Sequence, residues 1–174
     1  EGKAEALRAA VAELENAPSE SSILAAQMAW RNARGAFRRL DALAFGPAES
    51  KRIAPAVDFT PASAEAIERA ITDGSGAGTA FDALGSNAKG FLALQYLLFD
   101  ENAAHAESLA KMTSGDLAPA RRAFATRVAT NLEDRAHELS NTWAKDGENY
   151  LGEIENAGST STIYPSTKAA VDEF

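Results

Sequence analysis

Gly90-Phe91-Leu92-Ala93-Leu94-Gln95-Tyr96-Leu97-Leu98-Phe99 is apolar around the full turn of a helix. A helix of that kind is normally covered on every side. The stretch therefore predicts a central helix with other helices packed around it. Gln95 is the one strongly polar side chain between Phe91 and Phe99. A buried amide must find partners, because leaving it unsatisfied costs about 1–3 kcal/mol. Leu92 lies three positions away and shares its face. Gly90 lets another backbone come close just before them. On packing grounds alone, Gln95 bonds across to a neighbouring helix.

Working outward, helix-period patterns cover most of the chain, and no alternating strand is evident. A first helix is expected over residues 3–16, stopping near Pro18. Ser19 reads as the N-cap of a long helix over residues 20–44. Gly46-Pro47 ends it, since glycine supplies a left-handed turn and proline cannot continue the ladder. Residues 48–60 read as a surface connection with at most one short turn. Thr60-Pro61 restarts a helix that reaches Ile71. Asp73-Gly74-Ser75-Gly76-Ala77-Gly78 is a break; without a preceding strand or a following Gly-Lys-Ser/Thr it reads as a linker, not a phosphate loop.

One helix or a pair is expected over residues 79–99, and a shorter one over 102–112. A long helix then covers residues 117–146, with Leu117, Phe124, Val128, Leu132, Leu139 and Trp143 as its buried stripe. A break near Gly147 precedes helix to about Asn156. A last segment starts near Ser166 and runs to Phe174 without a C-cap: either the helix frays there, or the chain is cut with a second bundle normally following. The fold class is all-α: a bundle of long antiparallel helices over residues 1–174.

Composition agrees. Apolar residues make up 45% and aromatics only 7%, so the core needs closely packed helices with small side chains and a few large plugs. The net charge of -8 and the lack of a basic run argue against nucleic-acid binding. There is no cysteine, which excludes disulfides, thiolate chemistry and cysteine-ligated metals. No apolar run is long enough to span a bilayer.

Charges on the long helix interrupt this plain picture. At about 100° per residue, Ile23, Ala26, Trp30, Ala33, Phe37, Leu40 and Ala44 share one face. Arg31, Asn32, Gly35, Arg38 and Arg39 turn away from it. Arg34 and Asp41 fall on the buried face, where an unpaired charge costs several kcal/mol. They are two turns apart and need not meet. One reading is an ion-pair network with neighbouring helices; the other is a polar pocket inside the bundle. The two histidines, His105 and His137, have no partner at a metal-ligand spacing in the sequence, and His137 sits on a charged, solvated face with Glu133, Asp134 and Glu138.

Three separated strings resemble segments of the imelysin-like family. Gly90 to Phe99 is similar to its signature, which reads Gly-x-His-x-x-Glu followed by Tyr-Leu-Leu and an aromatic. Trp30-Arg31-Asn32-Ala33-Arg34 with Ala44-Phe45-Gly46-Pro47 resembles a second segment. Trp143, Tyr150 and Tyr164-Pro165-Ser166 fit a third. Family members are commonly about twice this length and hold two helical bundles. The resemblance thus implies that this chain is the first bundle, with a second bundle or a cell-envelope protein as its partner.

The departures matter as much. The family's histidine position is Leu92 and its glutamate position is Gln95. Leucine has no lone pair, and a glutamine oxygen is a poor sole anchor for a transition metal. A carboxylate persists at Asp41. The resemblance implies a periplasmic or lipoprotein role linked to iron uptake, with no resident cofactor expected here; iron or another divalent metal enters by resemblance only. The expected site is a ligand pocket of Trp30, Arg34, Asp41, Leu92 and Gln95. Two other readings stand beside it: a metallopeptidase, the family's founding insulin-cleaving activity, and a structural interaction module. Against the peptidase, the chain has no His-Glu-x-x-His and no supported Ser-His-Asp set.

Overall fold

The computed structural model describes residues 1–40, 45–99 and 105–173. Among the described residues there are only helices and turns, so the chain is all-α. The helices are α1 Gly2–Asn16, α2 Glu20–Arg38, α3 Pro47–Ser50, α4 Ile53–Val57, α5 Ala64–Thr72, α6 Gly90–Phe99, α7 His105–Thr113, α8 Ala118–Trp143, α9 Tyr150–Glu155 and α10 Thr167–Val171. Two 3-10 turns, Gly78–Ala83 and Ser86–Ala88, lead into α6.

α1 and α2 form a hairpin across a tight turn. Leu7, Val11 and Leu14 recur at helical spacing on α1 and are all buried. Burying a side chain of that size is worth about 1.5–3 kcal/mol, so this stripe holds α1 down. Ser19 caps α2 as expected: its hydroxyl accepts from the Ser22 amide at 3.1 Å, and the Ser22 hydroxyl takes the reciprocal bond from the Ser19 amide at 3.0 Å. α8 packs along α1, α6 and α7, with Phe124, Ala125, Val128, Ala129 and Leu132 buried. Its small side chains permit the close helix approach that the composition predicts. None of the helices is long and apolar enough to cross a membrane, among the described residues.

Several expectations need correction. α2 ends at Arg38, so Leu40 is 40% exposed and not part of the buried face. Residues 41–44, including Asp41 and Ala44, lie outside the described residues. The connection over 48–60 carries two short helices, and it buries Ile53 and Val57 in the main core. Its one-turn apolar spacing was the overlooked signal. α5 begins at Ala64 and not at Pro61, because the Ser63 hydroxyl caps it, accepting from the Ala66 amide at 3.2 Å. Residues 79–88 form 3-10 turns in place of a regular helix. The predicted start of the 102–112 helix lies outside the described residues; α7 is described from His105.

On α8, Leu117 is exposed and Leu139 and Trp143 are half-buried. Trp143 instead joins a second, smaller core with Phe45, Tyr150 and Tyr164. Its indole meets the Tyr150 ring edge-on, with centroids 5.2 Å apart.

α6 is the central helix, but it is not covered on every side. Phe91, Ala93, Leu94, Leu97 and Leu98 are buried; Leu92, Gln95, Tyr96 and Phe99 are half-buried. One face of the signature helix therefore reaches towards solvent. Gly90 explains how α6 is seated. Its φ is +76°, and a Cβ there would lie 2.3 Å from the Val57 carbonyl oxygen. Only glycine accommodates both, and the close approach brings the end of α4 against the start of α6.

Candidate functional site

The seam between α2 and α6 is stitched by side chains. The Trp30 indole Nε1 donates to the Phe91 carbonyl at 2.8 Å. The Gln27 amide Nε2 donates to the Leu98 carbonyl at 2.7 Å. Trp30 also stacks edge-on against Phe99, with centroids 5.1 Å apart. The amphipathic spacing of α2 places Trp30 and Gln27 towards α6, and the indole spans an apolar body and a polar tip.

Arg34 lies one turn beyond Trp30, with its guanidinium 5.3 Å from the indole ring centre. Its Nη1 donates to the Gln95 Oε1 at 3.2 Å. Its Nη2 lies 3.2 Å from the Asp58 Oδ1. Arg38 reaches the other oxygen of Asp58 at 2.9 Å. The Asp58 side chain is only 5% exposed, whereas that of Arg34 is 23% exposed. A buried carboxylate flanked by two arginines compensates its charge, which is the condition for burying it at all.

The structure thus brings together Trp30, Arg34 and Gln95 from the expected site. Leu92 stands on the same helix, half-buried, one turn before Gln95. Asp41 lies outside the described residues. Arg34 finds an ion-pair partner in Asp58. Asp58 was not anticipated, because it sits in the stretch read as a surface connection. The signal was available in principle: a carboxylate directly after the Ile53/Val57 apolar pair is delivered to the core edge.

The network is not fully satisfied. Among the described residues, the buried Arg34 Nε makes no hydrogen bond. An unmet buried donor of this kind costs about 1–3 kcal/mol.

A second network joins α5, α6 and α8. Arg121 grips Glu68 with two bonds, at 2.8 and 2.7 Å, and the Tyr96 hydroxyl donates to Glu68 at 2.6 Å. Burial pushes the Glu68 carboxyl up, but Arg121 and Tyr96 together outweigh it and hold the group below its ordinary value. At the other end, the Tyr150, Tyr164 and Glu173 side chains bond to one another. Burial first, then the bond with Glu173, pushes the Tyr164 phenol well above its ordinary range.

Cavities lie elsewhere. An apolar one of about 370 Å³ is lined by Ala33, Phe37, Ile53, Val57, Phe91 and Leu139 among others. A polar cleft of about 760 Å³ runs past Lys51, Glu148, Glu153 and Glu173. Trp30, Arg34, Leu92 and Gln95 line neither of them.

A family model described as Imelysin (peptidase M75) matches residues 1–174. The chain is 30% identical over 170 residues to "Iron-regulated protein A" of Synechococcus elongatus. The match covers 97% of this chain and 42% of that relative, so the chain spans less than half the relative's length. No solved structure gives a significant match. Coverage from the first residue to the last, together with the relative's identity, establishes that this chain belongs to the imelysin family.

Proposed function

We propose that this chain is a non-enzymatic binding bundle of a cell-envelope imelysin-like protein, with its ligand face on the α2–α6 seam. The single observation carrying this reading is Arg34. Its guanidinium donates to Gln95 on the half-buried face of α6, and its side chain is 23% exposed.

The family resemblance implies a metal held by residues at positions 92 and 95. The residues present do not fit one. Leu92 offers no donor atom, and the Gln95 oxygen accepts from a permanently charged guanidinium at 3.2 Å. A cation placed there would meet Arg34 at close range without an anionic ligand on α6 to offset it. The signature is in this reading kept as packing and given up as a ligand set. A small polar molecule with an acceptor oxygen suits the Arg34 and Gln95 pair better than a bare ion.

The partner in this reading is a second helical bundle of the same protein, covering the half-open face of α6. The 42% coverage of the cyanobacterial relative supports it. That relative's name refers to iron regulation, and we infer that this chain serves the same kind of process, at the cell envelope.

The test is a pair of assays on the purified chain and on the remainder of the longer protein. Association of the two that weakens on Arg34→Glu supports the binding reading. Chelator-sensitive cleavage of an unfolded protein substrate contradicts it and returns the peptidase.

A further inference from the structure

We propose that Glu1, Glu5 and His137 form a divalent-cation site of the zinc type, built across α1 and α8 and separate from the α2–α6 seam. The sequence offers no ligand spacing around His137. The antiparallel packing of α1 on α8 supplies it. The Arg8 guanidinium meets Glu133 at 2.6 Å and fixes the register. One turn further along α8, His137 therefore faces Glu5, one turn back along α1 from Arg8, and Glu1, two turns back at its N-cap.

The three side chains already meet, with the two carboxylates facing different nitrogens of the imidazole. The His137 Nδ1 lies 3.1 Å from the Glu1 Oε1, and its Nε2 lies 4.0 Å from the Glu5 Oε1. One ligand atom from each of the three residues lies within 4.8 Å of the others. Donors bound to one tetrahedral ion at the usual bond lengths are about 3.3 Å apart. All three side chains are exposed, and closing the set about one ring nitrogen takes rotation of the imidazole and the carboxylates, with Glu1 giving up its bond to Ser140.

Chemistry selects the ion. One imidazole nitrogen and two carboxylate oxygens are the donors that zinc and its first-row neighbours accept, with the remaining positions left to water. Charge points the same way. Glu1 is the N-cap residue of α1 and Glu5 lies in its first turn, so two carboxylates four positions apart meet His137. The neighbouring arginines are already engaged: Arg8 with Glu133, and Arg135 with Glu138. The ligands project from two long helices anchored by the buried stripes of α1 and α8, the same logic by which bundle proteins hold metals between facing helices.

None of these residues takes part in the Arg34–Gln95 network, so the two readings stand or fall separately. The experiment is calorimetric titration of the purified chain with zinc chloride after treatment with a chelator. One ion bound per chain is expected. His137→Ala and Glu5→Gln should each weaken binding by about tenfold or more, while His105→Ala leaves it unchanged. Circular dichroism keeps loss of fold apart from loss of ligand. Absence of stoichiometric zinc binding would overturn the proposal. So would binding that survives His137→Ala unaltered in a folded variant.

Discussion

Arg34 of α2 bonds Gln95 of α6 across 3.2 Å, and the same guanidinium pairs with Asp58 just beyond α4. One side chain therefore ties three helices at the point where the signature helix reaches solvent. The binding reading and the stability of the seam both depend on it.

Removing either end of that tie exposes its energetic role. Arg34→Ala leaves Asp58 with Arg38 alone, and Asp58→Ala leaves Arg34 without its anion. Each should lower the unfolding free energy by about 2–3 kcal/mol in urea titrations. The double variant should lose less than the sum, since the two act as one pair.

Gly90 is the hinge of the packing. Gly90→Ala must accept a φ of +76° and a Cβ placed 2.3 Å from the Val57 oxygen. A loss of about 1–3 kcal/mol is expected from the strain alone. Thermal unfolding would show it as a lower Tm. An unchanged Tm would mean that α4 does not approach α6 as described.

Glu68 makes stability acid-sensitive. Its folded value is held below the ordinary one, chiefly through Arg121 and Tyr96 acting against burial. The unfolded chain therefore binds the proton more readily. The contribution is present above the unfolded value and is lost as pH falls through the folded one. Glu68→Gln should flatten the fall in urea stability between about pH 5 and pH 3, where free glutamates titrate.

Tyr150 and Tyr164 should resist alkali. Burial is the largest cause for both, with Glu173 adding to it, and both phenols are pushed up. An ordinary tyrosine ionises near about pH 10. Absorbance titration should therefore show these two ionising only together with unfolding. Because the folded value is raised, their contribution is full below the unfolded value and drains away above it. Glu173→Gln should shift the unfolding transition, and a normal titration of both phenols would contradict the packing.

Much of the fold could be read in the sequence, and the part that could is local. Ser19 announced α2, and the stripe Ile23, Ala26, Trp30 and Ala33 announced its buried face. The apolar run after Gly90 announced the central helix. What the pattern overstated was its burial: Leu92 and Gln95 share a half-open face that periodicity cannot assign. What it missed was delivered by tertiary packing. Asp58 comes to Arg34 only because α4 closes on Gly90. Glu1 and Glu5 come to His137 only through the register of α1 on α8. Neither pairing has a sequence spacing to betray it.

Under the proposed reading, the α6 segment of this chain does not hold a metal. The direct measurement is calorimetric titration of ferrous iron and of zinc into the folded His137→Ala variant, which silences the other candidate site. No stoichiometric heat is expected from either ion. Tight binding of one ion per chain that disappears on Gln95→Ala would contradict it.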